Sequence, residues 1–258
     1  MPYETIDYML DTDVATIRLN RPDRMNSLSA QMRRELLDAL AKAPTQARAV
    51  VLTGSGRGFC SGQDLADAGS FAEIDLGRTL AEEYEPLLNL IYDCPVPTIC
   101  AVNGAAAGAG ANLALAADMV IAARSAVFIQ AFARIGLITD AGGTYWLPRL
   151  VGQARAMGMC LTTDPISAEQ AADWGLIWEV VDDDALGSHA AALAAKLAAG
   201  PTVAYRLVKQ ALRASWSNSL PDQLALEAQL QGQAGQTRDF MEGVAAFLEK
   251  RPPRYEGR

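Results

Sequence analysis

The chain has 258 residues, half of them hydrophobic, so it can form one large domain or one domain with an appendage. Its net charge of -8 opposes binding to nucleic acid. His189 is the single histidine, so a multi-histidine metal site is excluded. Any Ser-His or Cys-His triad would depend on His189, which looks like a solvated helix residue.

The cysteines and the N-terminal stretch both favour a cytoplasmic protein. The four cysteines have neither metal-type nor disulfide-type spacing, which is typical of reduced, partly buried thiols. The N-terminal stretch MPYETIDYML lacks the basic region and the apolar run of a signal peptide. The sequence therefore predicts a cytoplasmic protein without a metal site and without a membrane contact.

Strand-like and helix-like segments alternate along the first two thirds of the chain, which predicts an α/β fold. Apolar runs and alternating patterns predict strands within residues 3–19 and at 49–53, 98–102, 118–122, 127–129 and 176–181. Caps and apolar spacing predict helices at 30–42, at 79–92, from 141 to near 152, and after Ser167. Residues 64–79 and 133–140 are expected to be loops.

From about residue 192 onward the sequence looks helical throughout. Three apolar stripes recur at helical spacing and predict three amphipathic helices. Such helices at a chain end more often mediate assembly than catalysis.

The uncharged stretch VNGAAAGAGAN, residues 102–112, has three possible structures. A transmembrane segment is disfavoured because proline, asparagine and glycine interrupt it. A plain core helix would carry glycines that cost about 1 kcal/mol each. We favour a tight turn from a strand into a helix, where backbone amides at the positive helix end suit a developing negative charge. A second glycine-rich turn, residues 53–63, also follows a buried strand, so two amides could converge on one oxygen.

Five motifs, taken in their order and spacing, identify a family. They read NRPDRMNSL, FCSGQDL, VNGAAAGAG, GLITDAGGT and AEQAADWGLI. Over nearly its whole length the chain resembles the crotonase, or enoyl-CoA hydratase/isomerase, superfamily. The resemblance implies a spiral of ββα units as an acyl-CoA-binding core at residues 1–195 and a C-terminal α-helical trimerisation region at 196–258. It also implies a homo-oligomer, either a trimer or a dimer of trimers, and an acyl-CoA thioester substrate whose coenzyme A makes a separate cofactor unnecessary.

The resemblance also assigns the groups that bind the substrate. The backbone N–H groups of Gln63 and Ala109 are the implied oxyanion hole, and two preset amides can stabilise a thioester enolate by several kcal/mol. The alternative for Gln63 is an exposed polar loop residue. The implied substrate and coenzyme A contacts are Arg24, Ser61, Asp64, Leu65 and Gly108; for Arg24 the alternative is a solvated loop arginine.

The acid–base residues depart from the hydratase pattern. The family's hydratases use two glutamates, and the matching positions here are Asn112 and Phe132, neither of which can transfer a proton as needed. Instead Asp140 stands where single-carboxylate isomerases of the family can place their acid. Its alternative role is to cap the following helix. Because both glutamates are missing, we favour a catalytic role for Asp140. Its apolar neighbours would disfavour the charged carboxylate and so make it a better base.

Within the family, four stretches are similar to the ring-1,2-epoxyphenylacetyl-CoA isomerases of aerobic phenylacetate breakdown. The expected function is an acyl-CoA isomerase that stabilises an enolate and shuttles one proton, forming an oxepin-CoA from the epoxide or shifting an enoyl-CoA double bond. Enoyl-CoA hydratase is the alternative enzyme, and a non-catalytic acyl-CoA-binding or RNA-binding scaffold is the alternative from another class. The four stretches are FCSGQDL, AFARIGLITDAGGT, LPRLVGQARAMGM and AADWGLIWEVVDD.

Overall fold

The computed structural model describes residues 3–68 and 75–258. Part of the loop expected at residues 64–79 therefore lies outside the described residues. None of the helices in the described ranges is long and apolar enough to cross a membrane.

Two sheets organise the described strands. The larger sheet has the strand order β1-β2-β3-β5-β7-β10, and the smaller has the order β4-β6-β8-β9. In the larger sheet β1 and β2 are antiparallel, and every later neighbour pairs in parallel. The strands are β1 (Ile6–Asp11), β2 (Val14–Leu19), β3 (Ala49–Gly54), β4 (Gly58–Cys60), β5 (Thr98–Val102), β6 (Ala105–Ala107), β7 (Met119–Ala123), β8 (Val127–Ile129), β9 (Ile166–Ser167) and β10 (Glu179–Val181).

Helices connect the strands and form the C-terminal quarter of the chain. Helix α1 contacts β1, β2 and β3, and α8 contacts β2, β3, β5 and β7. The helices are α1 (Ala30–Gln46), α2 (Leu76–Thr79), α3 (Glu85–Tyr92), α4 (Ala109–Leu115), α5 (Gly143–Val151), α6 (Gln153–Thr162), α7 (Ala168–Asp173), α8 (Leu186–Ala198), α9 (Thr202–Ala214), α10 (Leu220–Ala234) and α11 (Arg238–Glu249).

Three successive strand pairs repeat one arrangement. The strands β3, β5 and β7 lie in the larger sheet, and each is followed directly by β4, β6 or β8 in the smaller sheet. The apolar runs of β3 and β5 are buried, as expected of parallel strands covered on both faces. This arrangement confirms the α/β fold and the crotonase-like architecture that the resemblance implied.

Several boundaries differ from the sequence expectation. Helix α1 runs through Pro44 to Gln46, because a proline in the last turn removes only one helical hydrogen bond. Helix α6 was not expected. Gly152, interpreted as a helix end, has φ 79° and ψ 160°, so the chain turns there and starts a second helix at once.

The C-terminal helices are held to the core by ion pairs. Asp118 precedes β7 and lies 2.6 Å from Lys209 Nζ and 2.8 Å from Arg213 Nη2, both on α9. The expected domain boundary at 195/196 falls inside α8, which packs on the larger sheet. Beyond it, α10 and α11 carry exposed apolar side chains, among them Leu220, Leu224, Phe240, Phe247 and Leu248.

Two helical glycines provide a matched test of this packing. A Cβ on Gly110 of α4 would lie 2.4 Å from the Cys60 carbonyl oxygen, whereas one on Gly158 of α6 would meet nothing within 4 Å. We expect Gly110→Ala to lower the free energy of unfolding by roughly 1–3 kcal/mol through overpacking. Gly158→Ala should raise it by up to about 1 kcal/mol, the usual gain in a helix. Urea unfolding at one protein concentration measures both, and an equal effect of the two variants would contradict the close approach at Gly110.

Candidate active site

Two glycine-rich turns meet at one edge of the smaller sheet. Strands β4 and β6 pair in parallel, so their carboxyl ends lie side by side and each feeds a turn at the same edge. A Cβ on Gly62 would lie 2.9 Å from the Ala107 carbonyl oxygen and 3.4 Å from the Ala109 nitrogen. Gly62 has φ 92°, which favours glycine independently of the space. The two turns can therefore approach this closely only with glycine at this position.

The predicted oxyanion amides of Gln63 and Ala109 belong to these two turns. Gln63 forms an isolated bridge with Leu28, which uses the Gly62 carbonyl and the Asp64 N–H. The N–H of Gln63 therefore points to the opposite side of its strand. Ala109 is the first residue of α4, so its N–H precedes the helical hydrogen bonds and lies at the positive end of the helix. The Ala109 amide is therefore suited to hydrogen bonding with an anion.

A cavity of about 250 Å³ lies beside these amides. Gln63, Ala109 and Asp140 line it together, with Phe132 and Tyr84. Ligand pockets typically start at roughly 300 Å³, so this one has room for a small acyl group and not for a whole coenzyme A. A larger groove of about 880 Å³ lies between the larger sheet and α8, and it contains none of the predicted site residues.

Asp140 brings a carboxyl group into this cavity without a compensating partner. Its Oδ1 atom is buried and has no hydrogen-bond partner in the described part of the chain. Burial raises the pKa of Asp140 from 3.8 to about 6. Helix α5 begins at Gly143, and no side chain caps it, so Asp140 does not have the capping role considered from the sequence. A carboxyl with this pKa can exchange protons near neutral pH.

The backbone after Asp140 is held in an uncommon conformation. Ala141 has φ 49° and Gly142 has φ 81°, two consecutive left-handed residues of which only one is glycine. A Cβ on Gly142 would lie 2.5 Å from Trp146 Nε1, and one on Gly143 would lie 2.4 Å from Asn112 Nδ2. Packing therefore fixes the turn, and such turns are concentrated at functional sites.

The side chain of Asn112 supports this turn through a hydrogen bond to its backbone. The side chain of Asn112 is fully buried and exchanges hydrogen bonds with Gln130, which is 1% exposed. The Asn112 Nδ2 atom also donates to the Asp140 carbonyl oxygen at 2.8 Å. Asn112, which matches a hydratase glutamate, thus holds the backbone of the residue that carries the acid and does not line the cavity.

The remaining predicted contacts divide into two groups. Ser61, Leu65 and Gly108 line the cavity with the oxyanion residues. Asp64 and Arg24 do not. Asp64 is buried and pairs with Arg21 at 2.8 Å, so it ties the turn to the loop before α1. Arg24 is exposed on that same loop.

The arginine and the tyrosine that support Gln63 were missed by sequence reasoning. Arg33 Nη1 donates to the Gln63 Oε1 atom at 3.1 Å and to the Leu28 carbonyl at 2.6 Å. The hydroxyl of Tyr84 donates to the same Gln63 oxygen. Both residues lie on helices, and tertiary packing determines which side of each helix meets Gln63. No local motif marks either residue. The cysteines are free thiols as expected, and His189 pairs with Glu179 at the surface, 2.9 Å away.

The uncompensated carboxyl of Asp140 has a measurable cost. Because its pKa is raised in the folded chain, ionisation destabilises the fold above about pH 6, and this cost disappears as the pH falls toward 3.8. We expect Asp140→Asn to be more stable than the wild type at pH 8 and to lose this advantage near pH 4. Urea unfolding at both pH values measures the effect, with Asp164→Asn, an exposed acid outside the cavity, as the control. An advantage that grows as the pH falls would contradict the raised pKa.

The side-chain amides of Asn112 and Gln130 should be energetically coupled. Asn112→Leu or Gln130→Leu alone leaves a buried polar group unpaired, which costs about 1–3 kcal/mol. The double variant should cost less than the sum of the two, since both unpaired amides are then removed. A double-mutant cycle by urea unfolding checks this, and strictly additive losses would show that the pair does not act as a unit.

Comparison with known proteins identifies the family. The Enoyl-CoA hydratase/isomerase family matches residues 10–258. A probable enoyl-CoA hydratase of Rhodobacter capsulatus is 62% identical over 100% of both chains. The 1,2-epoxyphenylacetyl-CoA isomerase of Escherichia coli is 48% identical, over 96% of this chain and 97% of its own. The crystal structure of a putative enoyl-CoA hydratase/isomerase from Mycobacterium abscessus superposes with a TM-score of 0.93 at 41% identity, covering 98% of this chain and 100% of that one. The chain belongs to the enoyl-CoA hydratase/isomerase, or crotonase, family of acyl-CoA enzymes.

Proposed function

We propose that this protein is an acyl-CoA isomerase that moves one proton within its substrate through an enolate. The leading substrate is a ring-epoxidised phenylacetyl-CoA, which would become an oxepin-CoA, and enoyl-CoA double-bond shifts belong to the same chemistry. The observation that carries this proposal is the cavity lined by one carboxyl group. Asp140 is the only acid among the described lining residues, and Gln63 and Ala109, whose amides we propose as the oxyanion hole, line the same space.

The reaction needs no other reactant. The thioester carbonyl oxygen would receive hydrogen bonds from the amides of Gln63 and Ala109. The Asp140 carboxylate takes a proton from the carbon next to the carbonyl, and the resulting negative charge moves to that oxygen, where the amides stabilise it. Asp140, now protonated, returns the proton to another carbon of the same acyl group. One C–H bond breaks and another forms. In the epoxide, the carbon–carbon bond shared by the three- and six-membered rings also opens as its electrons become part of the new double bonds, so the product has the mass of the substrate.

The pKa of the base fits this task. An acid with a pKa near the working pH is ionised often enough to accept the proton and acidic enough to return it. Burial gives Asp140 a pKa of about 6, which meets both conditions.

Hydration is the second candidate because the relative from Rhodobacter capsulatus is described as a probable enoyl-CoA hydratase. Adding water needs a group that activates the water and one that protonates the neighbouring carbon. At the two hydratase positions Phe132 lines the cavity as an apolar side chain, and Asn112 is bonded to Gln130 and to the Asp140 carbonyl. This arrangement favours isomerisation over water addition.

Assembly and coenzyme A binding complete the proposal. The exposed apolar side chains of α10 and α11 suit the contacts of a homotrimer or of a dimer of trimers. Ser61 and Leu65 stand at the cavity and are proposed contacts of the thioester arm. Arg24, exposed on the adjoining loop, is a proposed contact of the nucleotide phosphates.

A panel of aryl- and enoyl-CoA thioesters, read by mass spectrometry and by product structure, separates the two reactions. An isomerase gives products of unchanged mass, and a hydratase adds one water. Products that gain water across the panel, without isomers, would overturn the proposal.

Removing the base should abolish the reaction while binding persists. We expect Asp140→Asn to lower kcat by roughly 100- to 10,000-fold, the range for a lost acid–base group, with the Kd of acyl-CoA changed little. In the wild type, kcat/KM should rise with pH through about 6, since the carboxylate is the active form. Asp164→Asn serves as the control. An Asp140→Asn variant with wild-type turnover would contradict the assignment of Asp140 as the base.

A further inference from the structure

Tyr84 lines the cavity, its hydroxyl is bonded to Gln63, and it takes no part in the proton transfer described above. Its side chain lines the cavity with Gln63 and Asp140, and the residue is 4% exposed. It ends the widened helical turn Leu80–Tyr84, whose hydrogen bonds follow the π-helical pattern. Such single turns within a helix are frequent at functional sites.

The hydroxyl of Tyr84 can change partners at little cost. It donates to Gln63 Oε1, which also accepts from Arg33 Nη1 at 3.1 Å. Arg33 is itself 4% exposed and bonded to Glu83 at 2.7 Å. If Tyr84 turned its O–H to a ligand, Gln63 Oε1 would keep a charged donor and no buried acceptor would be left unpaired.

Tyr84 acts as a donor and not as a base. Burial raises the pKa of its phenol, and the nearby Asp140 carboxylate acts in the same direction, while Arg33 partly opposes both. The phenol is therefore neutral at physiological pH and keeps its proton. The guanidinium of Arg33, 5.3 Å from the ring centroid, fixes the orientation of the ring.

Two other hydroxyls line the described part of the cavity, and both differ from Tyr84. Thr79 Oγ1 donates to the Asp75 carbonyl at 3.0 Å, and Ser61 is exposed with its Oγ facing the Arg24 carbonyl at 3.5 Å. Tyr84 thus supplies the buried hydroxyl in a space otherwise lined mainly by apolar side chains.

We propose that Tyr84 is a specificity-determining residue whose O–H donates a hydrogen bond to a second oxygen of the acyl group, beyond the thioester carbonyl. The chemical class selected is an acyl thioester that carries an ether or epoxide oxygen close to the reacting carbons. This inference rests on the proposed isomerase function. The hydrogen bond transfers no proton, so the balance of the isomerisation is unchanged.

The size of the effect follows from the exchange of partners. A substrate without the second oxygen leaves Tyr84 bonded to Gln63, so its binding is not penalised by an orphaned donor. The exchange adds no net hydrogen bond, so the wild type accommodates both kinds of thioester. Without the Tyr84 donor, a buried ether oxygen would lose its hydrogen bonds to water and gain none, which lowers its affinity about tenfold.

Two non-reacting thioesters that differ in one atom test this directly. Tetrahydropyran-3-ylacetyl-CoA carries a ring oxygen where cyclohexylacetyl-CoA carries a methylene, and this oxygen is one carbon too far from the enolate to be expelled by β-elimination. We expect the wild type to bind the two with similar Kd by calorimetry, and Tyr84→Phe to bind the ether about tenfold more weakly than the methylene analogue. Tyr92→Phe, which removes a hydroxyl from the end of α3 outside the cavity, should keep the wild-type ratio of the two Kd values.

Each result has a defined meaning. A Tyr84→Phe variant that keeps the wild-type ratio of the two Kd values overturns the inference. An equal loss of affinity for both in Tyr84→Phe assigns Tyr84 to holding Gln63 and also overturns it. Because the test measures binding of non-reacting ligands, it is independent of the turnover assay that tests the isomerase proposal.

Discussion

The site depends on how closely two backbone turns approach each other. The parallel pairing of β4 and β6 puts the ends of both strands at one edge, but only glycine at position 62 leaves room for the neighbouring turn. Gly110 makes a second such contact, since a Cβ there would collide with the Cys60 carbonyl. With these two contacts, Gln63 of one turn and Ala109 of the other line the same cavity. A fold with this pairing therefore brings together the two residues of the proposed oxyanion site by backbone geometry, and side chains remain free to define the reaction.

Those side chains form two supports around the amides. Arg33 and Tyr84 hold the side chain of Gln63 on one side, and Arg33 also bonds the carbonyl of Leu28, the bridge partner of Gln63. On the other side, Asn112 and Gln130 hold the backbone of Asp140. Preset donors are effective because they need not reorganise when charge develops. Both supports are buried, which makes them rigid and also makes any missing partner costly.

The sequence was sufficient for features that local patterns encode. Both glycine-rich turns follow buried apolar strands, and the motif around Asp140 is continuous, so the fold and several residues that line the cavity could be predicted. The ion pair of Asp64 with Arg21 and the amide pair of Asn112 with Gln130 could not, because each joins residues far apart in the chain. The sequence shows that position 112 holds asparagine and not glutamate. The hydrogen bond from Asn112 to the Asp140 carbonyl could be found only in the tertiary structure. Gly152 shows the same limit, since one glycine both ends α5 and starts α6.

The proposed role of Asp140 as a base and the stability of the fold oppose each other. A hydrogen bond or a cation at Oδ1 would stabilise the carboxylate, lower its pKa and make it a weaker base. The structure instead leaves Oδ1 unpaired and directs the hydrogen bonds of Asn112 and Gly143 to the Asp140 carbonyl. The backbone is thereby fixed while the carboxyl keeps its raised pKa. Asparagine at 112 suits this arrangement better than glutamate, because a second carboxylate there would add a like charge and could not donate to the carbonyl.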